Sequence, residues 1–280
     1  MLSLCQKTGK ELYSWGHKSG VRACQFAHGE RMFLSVQDNT FSQTPTIFIY
    51  NLAEDLKDRQ YNETAMCSGR VGARRRNSAV AHRLLHLFCL RVETSEPVRA
   101  MSGSTGRINE ALWGALNQTV ISASEDGSIR LWDVETGKEV LKVHDHKKSI
   151  NSLQFSKDGT MVLTASSDHT AKLYDAKTLT LMKTYTSDRP LNSASISPIM
   201  NHVIVGGGQD AMNVTTTSSK VGHFEVDFYH MVYSEFLGSV KGHFGPVNSL
   251  AFSPTGKSFV SGAEDGYVRL HHFDAQNLKE

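Results

Sequence analysis

The chain has 280 residues, 39% of them hydrophobic, and carries 30 basic against 28 acidic side chains. A net charge of +2 excludes a surface that is strongly basic or strongly acidic as a whole. The length allows one sizeable core or two small ones, and strand formers abound while long amphipathic helix patterns are nearly absent, which points to an all-β chain of many short strands.

The N-terminal stretch MLSLCQKTGKELYSWGH carries charge by residue 7 and has no apolar run, so it does not read as a secretory signal. Within it, LSLCQKTGKEL reads as the last strand of a repeat whose earlier part lies outside this sequence. The four cysteines, Cys5, Cys24, Cys67 and Cys89, form no C-x-x-C pair and have no zinc-ligand spacing. Scattered thiols of this kind suit a reducing compartment, and a soluble cytoplasmic protein is expected. The longest apolar run, LLHLFCL at 84–90, is too short to span a bilayer, so no membrane partner is expected. Next comes HKSGVRACQF (17–26), in which a histidine precedes by four residues a β-branched residue that opens an alternating strand.

Residues 61–98 then break the pattern. The segment holds six arginines (Arg70, Arg74, Arg75, Arg76, Arg83 and Arg91) and no acid between residues 64 and 92. It is expected to be an irregular, disordered insertion. The other reading is a basic arm on RNA followed by a short amphipathic helix.

From residue 106 on the chain repeats itself. ISASEDGSIRLWD (121–133), LTASSDHTAKLYD (163–175) and VSGAEDGYVRLHHFD (260–274) share an apolar start, a hydroxyl residue, small residues, an Asp in a tight turn and a second strand with a basic residue. Asp126, Asp168 and Asp210 follow one another at intervals of 42 residues, and Asp265 comes 55 after Asp210. A second landmark precedes each unit: HKKSINSLQF (146–155) and HFGPVNSLAF (243–252) match the 17–26 template, while GRINEALWG (106–114) and RPLNSASIS (189–197) are the same strand without the histidine. Strands opening near Val21, Ile108, Ile150, Leu191 and Val247 give five repeats.

These features resemble the WD-repeat family of β-propellers, in which each repeat makes one four-stranded blade. The pairs Gly16–His17, Gly242–His243 and Trp132–Asp133 are further points of likeness. The resemblance implies a single propeller domain over residues 1–280, with about five of seven blades present. It also implies a structural brace: the turn Asp bonds the histidine before the first strand, the histidine bonds a Ser or Thr on the second, and this bonds the Trp of the third. His146, Thr164, Asp168 and Tyr174 fall at those positions. So do His243, Ser261 and Asp265, with His271 at the aromatic position; Tyr174 and His271 replace the Trp, so both networks are expected to be altered. Asp126, Ser122 and Trp132 form a third set in which Ser104 takes the histidine's place.

The second half is similar to a narrower family, the i subunit of eukaryotic translation initiation factor 3, also described as a receptor-interacting WD-repeat protein. DHTAKLYD (168–175), RPLNSASISP (189–198), VGGGQDAMNVTTTSSKVGHFEVDFYH (205–230), GSVKGHFGPVNS (238–249) and SGAEDGYVRLHHFD (261–274) carry that likeness. It implies a non-catalytic scaffold that docks on the C-terminal region of subunit b, with subunit g nearby. It also implies contact with the small ribosomal subunit through the complex, in support of mRNA recruitment and scanning, with no direct nucleic-acid contact and no cofactor. The implied mode is a helix laid in a groove between blades, with Asp158, Asp175 and Gln209 as candidate contacts. The alternative is a signalling adaptor that binds a receptor kinase.

Other chemistry is weighed and set aside. HDH (144–146), HH (271–272), His223 and His230 are read as structural or loop histidines, not metal ligands. Ser, His and Asp recur together in register, whereas an enzyme needs one such site. The glycines 206–208 lack the Lys-Ser or Lys-Thr of a phosphate-binding loop, and β-prone residues follow them, so they read as the end of a strand. Phe224, Val226 and Phe228, then Met231, Tyr233 and Phe236, suggest two strands longer than usual, either a covered outer pair or an edge open to strand addition.

Overall fold

A computed structural model of the chain gives Met101 and residues 103–114, 118–208 and 224–273 with their side chains; before residue 103 it otherwise describes only the backbone of the strands. Two compact units result, Met1–Val143 and His144–Glu280. Every regular element among the described residues is a β-strand.

In the first unit, β1 (Leu2–Leu4) and β2 (Glu11–Ser14) pair antiparallel. Then come three four-stranded sheets, each a meander of sequence neighbours. The first holds β3 (Val21–Phe26), β4 (Met32–Gln37), β5 (Thr46–Asn51) and β6 (Arg59–Tyr61). The second holds β7 (Gly72–Arg74), β8 (Ser78–Arg83), β9 (His86–Arg91) and β10 (Pro97–Ser102). The third holds β11 (Ile108–Trp113), β12 (Thr119–Ser124), β13 (Ile129–Asp133) and β14 (Glu139–Val143).

The second unit continues the plan. One sheet holds β15 (Ile150–Phe155), β16 (Met161–Ser166), β17 (Thr170–Asp175) and β18 (Leu181–Thr186). The next holds β19 (Leu191–Ile196), β20 (His202–Gly207), β21 (Val226–His230) and β22 (Phe236–Val240). The last has three strands, β23 (Val247–Phe252), β24 (Ser258–Ala263) and β25 (Val268–His272). The five repeat openings read from the sequence are the starts of β3, β11, β15, β19 and β23.

The expected irregular insertion at 61–98 lies largely outside the described residues, which in that span are strand backbone only. One expectation differs from what is found: β21 and β22 are not long, with five residues each. The extra residues of the 55-residue interval fall between Gly207 and Val226, and most of that connection lies outside the described residues.

Burial follows strand position. Middle strands are apolar on both faces, as in β16, where Val162, Leu163, Thr164, Ala165 and Ser166 are all buried. The fourth strands β14, β18 and β22 are mostly exposed, and in β18 only Tyr185 is buried. A recurrent bulge follows the first residue of each opening strand, so the pairing passes over Asn109, Asn151, Asn192 and Asn248. In the second unit the bulged amides join neighbouring blades: Asn151 Nδ2 donates to the Leu191 carbonyl at 2.9 Å, and Asn192 Nδ2 to Asn248 Oδ1 at 2.9 Å. Ser193 Oγ also accepts from the Leu250 amide at 3.0 Å. Leu163, Leu173, Leu191, Val203 and Val205 fill the core between the first two blades of this unit.

Candidate functional site

The brace geometry is clearest in the β15–β18 blade. His146 is buried just before β15. Its Nδ1 lies 2.9 Å from Asp168 Oδ2, and its Nε2 lies 2.8 Å from Thr164 Oγ1. A carboxylate can only accept, so Nδ1 carries the proton and neutral Nε2 accepts from the threonine. Burial lowers the His146 pKa against the pull of Asp168, which keeps the ring neutral. Asp168 also accepts from the Lys147 amide (3.0 Å) and from the Thr170 amide and hydroxyl (3.0 and 2.6 Å). Burial would raise its pKa, but the bonds from Thr170, Lys147 and His146 hold the carboxyl well below the usual range.

Tyr174 does not join this chain. Its ring is fully buried, and its hydroxyl makes no bond to His146, Thr164 or Asp168. A tryptophan carries its N–H on the flank of the ring, within reach of the second strand, whereas a tyrosine carries its only polar atom at the far tip. Burial, with Asp145 nearby, pushes the phenol pKa far up. Trp132 makes the bond that Tyr174 lacks, donating from Nε1 to Ser122 Oγ at 2.8 Å.

In the β23–β25 blade the brace is made in full. His243 Nδ1 is 3.0 Å from Asp265 Oδ2, His243 Nε2 is 2.7 Å from Ser261 Oγ, and Ser261 Oγ is 3.2 Å from His271 Nε2. His271 stacks on Phe259 with centroids 4.5 Å apart. Against burial, bonds from the Tyr267 and Phe244 amides and from His243 bring Asp265 down to about 2.

The β11–β14 blade replaces the histidine with a buried arginine, which sequence reasoning missed. Arg130 Nη2 donates to Asp126 Oδ2 at 2.8 Å, and Nη1 donates to Ser104 Oγ at 3.1 Å. Arg130 Nε lies 3.2 Å from Glu139 Oε2, an ion-pair distance. The available signal was the basic residue that recurs at this register, Arg130, Lys172 and Arg269, paired opposite Ser122, Thr164 and Ser261.

The β19–β22 blade has neither device. Gly206 stands where the others carry the hydroxyl, and a Cβ there would meet Leu250 Cδ1 and Val247 Cγ1 at 2.9 Å. The glycine run is thus the end of β20, pressed against the next blade, and Gly206 is a packing residue. A buried Arg189–Asp227 pair, 2.6 Å apart, ties this blade together, and burial raises the Asp227 pKa despite Arg189. Gln209 and Asp210 lie outside the described residues.

Asp158 and Asp175 cap turns at one end of the β15–β18 blade. Asp158 accepts from Ser156 Oγ (2.5 Å) and Thr160 Oγ1 (2.7 Å). Asp175 accepts from the Thr178 and Lys177 amides, both at 2.9 Å. These bonds lower both pKa values, so both groups are ionised at neutral pH. Asp175 pairs across the sheet with Met161. Met161 and Asp158 line one wall of a groove of about 510 Å³. The other wall belongs to the β19–β22 blade, with Ile196, Ile199, Met200 and Met231. Tyr185 Oη donates to the Met231 carbonyl at 2.8 Å and fixes that rim. Among the described residues no cluster of three or more His, Cys, Asp or Glu is placed to hold a metal.

This sheet plan, with its braces, is that of a WD-repeat propeller blade. A model of the EIF3I family matches residues 86–279. The chain belongs to the family of eukaryotic translation initiation factor 3 subunit I. The relative of that name from Bombyx mori is 40% identical over 268 residues, 96% of this chain and 71% of its own length. The one from Nematostella vectensis is 40% identical over 270 residues, 96% of this chain and 72% of its own length. The one from Culex quinquefasciatus is 57% identical over 169 residues, 60% of this chain and 52% of its own length. Family membership carries with it the class of all-β WD-repeat propellers and a place among translation initiation factor subunits.

Proposed function

We propose that this chain is a non-catalytic scaffold of translation initiation factor 3, acting in the cytoplasm, and that it docks the C-terminal region of subunit b, with subunit g nearby. Through the complex it supports mRNA recruitment and scanning on the small ribosomal subunit. The groove between the β15–β18 and β19–β22 blades carries this reading. Its lining mixes Ile196, Ile199 and three methionines, which adapt to a partner's shape, with Ser156, Lys157, Ser197 and Asn201. Ionised Asp158 lies on its rim and Asp175 beside it, placed to meet basic residues of an amphipathic helix. The structural bonds that the recurrent Ser, His and Asp groups make in the braces support the non-catalytic reading.

A pull-down with the C-terminal segment of subunit b tests the site. Asp158→Lys and Asp175→Lys are expected to weaken capture at least tenfold, as about 2 kcal/mol or more is lost when a desolvated charge pair is broken. Capture equal to that of the unaltered chain would remove both residues from the interface. Co-sedimentation with small ribosomal subunits separates this role from that of a signalling adaptor.

A further inference from the structure

We propose that methionine oxidation closes the groove to its partner, with Met161, Met200 and Met231 as the residues modified. The proposal rests on the docking reading above and adds a switch to that site. Three thioethers line one groove from two blades: Met161 opens β16, Met200 stands in the β19–β20 turn, and Met231 directly follows β21. All three are half-buried. Enough surface is open for peroxide to reach a sulfur, and enough is covered for the product to alter what the groove presents.

Oxidation turns an apolar, adaptable side chain into a polar one with an acceptor oxygen. Met161 and Met231 pack against a buried cluster that includes Leu163, Tyr185, Ile196 and Tyr229. A docked partner would therefore desolvate a new polar group on the side of the groove where the thioethers offered none. The backbone gives little room for retreat. The Met231 amide donates to the Asn201 carbonyl at 2.7 Å, and its carbonyl accepts from Tyr185 Oη. Tyr229 Oη in turn donates to the Thr186 carbonyl at 2.8 Å, so the two blades are stitched in both directions beside the groove. Met231 cannot swing out with its turn unless these bonds break.

The step is a two-electron oxygen transfer from hydrogen peroxide. The thioether sulfur attacks one peroxide oxygen, an S–O bond forms and the O–O bond breaks. The departing hydroxide takes the proton from the transferred oxygen and leaves as water. Sulfur is oxidised and peroxide reduced, and methionine sulfoxide reductases reverse the change with a thiol reductant.

The test treats the full chain with hydrogen peroxide, removes the excess with catalase, and maps sulfoxides by peptide mass spectrometry. Capture by the C-terminal segment of subunit b is then measured. Met161, Met200 and Met231 are expected to gain one oxygen each, while Met101, which is fully buried, resists. Capture is expected to fall about tenfold, the effect of one polar group desolvated without a partner. Methionine sulfoxide reductases A and B together restore it. A chain with Met161→Leu, Met200→Leu and Met231→Leu, changes that conserve volume, binds alike before and after peroxide. Met182, 50% exposed on β18 and outside the groove, is oxidised in both chains and marks the dose. Groove methionines that react no faster than Met101 would overturn the switch. So would an equal loss of capture in the leucine chain, or full oxidation that leaves capture unchanged while Asp158→Lys weakens it. Capture that neither peroxide nor Asp158→Lys alters would overturn the docking reading, and the switch with it.

Discussion

Arg130 reaches across its blade to bond Asp126 at 2.8 Å, and so performs the task that His146 performs for Asp168 one repeat later. The two solutions differ in chemistry. His146 is a neutral ring between an anion and a hydroxyl. Arg130 is a fully buried cation between two carboxylates, Asp126 and Glu139.

Arg130→Met removes the cation that ties Asp126, Ser104 and Glu139 together, and is expected to lower the unfolding free energy by about 1–3 kcal/mol. Arg130→Lys keeps the charge but not the fork, and should recover only part of the loss. Denaturant titration of the purified chain measures both. A loss below about 1 kcal/mol in Arg130→Met would mean that Asp126 is held well enough by Ser128 and Thr105 alone.

Stability is expected to fall with acid in two stages. Burial lowers the pKa of His146 and of His271, so the unfolded chain binds protons near pH 6.5 that the folded chain refuses. That contribution is complete above about pH 6.5 and is lost as pH falls through and below it. Asp126, Asp168 and Asp265 are held low, so their contribution is complete above about pH 4 and is lost below it. Asp227 has the opposite sign, because its raised pKa makes the folded state bind protons first. Urea midpoints at about pH 8, 6, 5 and 3 should trace both declines, and His146→Gln should flatten the first. A midpoint unchanged from about pH 8 to 5 would contradict the neutral buried ring.

The repeat was legible because it is written in register: the Asp168 turn, the histidine 22 residues before it and the hydroxyl four before it recur, and register survives substitution. The Arg130 device was not legible, since a long side chain filling a vacated histidine site leaves no change in spacing. Tyr174 in place of tryptophan was legible as an altered brace, but an aromatic position says nothing of where the ring's polar atom lies. Asp158 and Asp175 were readable as turn acids, but the apolar part of the groove beside them comes from Ile196, Ile199 and Met231 of another repeat, and only packing brings these together.

The Arg189–Asp227 pair offers a double-mutant cycle. Arg189→Leu leaves Asp227 buried and unpaired, and should cost about 3–5 kcal/mol. Asp227→Leu should also destabilise, but by less, because Arg189 keeps the Glu225 carbonyl at 3.3 Å and Asp188 at 3.9 Å. The double variant is expected to cost less than either single change, because an apolar pair of similar size needs no partner. Thermal melts of the four proteins read the coupling. Additive losses would show that the two groups are held by other neighbours.

Gly206→Ser restores the hydroxyl that Ser122, Thr164 and Ser261 provide in other repeats, and repeat logic alone would make it stabilising. The packing argues the reverse. A Cβ at Gly206 meets Leu250 and Val247 at 2.9 Å, and overpacking of this kind costs about 1–3 kcal/mol. No histidine awaits the new hydroxyl, because Asp188, which is exposed, occupies the position 22 residues before Asp210. Gly206→Ser is therefore expected to lower the melting temperature, and Leu250→Ala added to it should recover part of the loss by opening space. Thr164→Val, which removes the hydroxyl where a histidine needs it, should also destabilise, by about 1–3 kcal/mol. The same group thus has opposite value in two blades, set by what faces it. A rise in melting temperature for Gly206→Ser would show that the neighbouring blade yields and that its glycine is not required by contact.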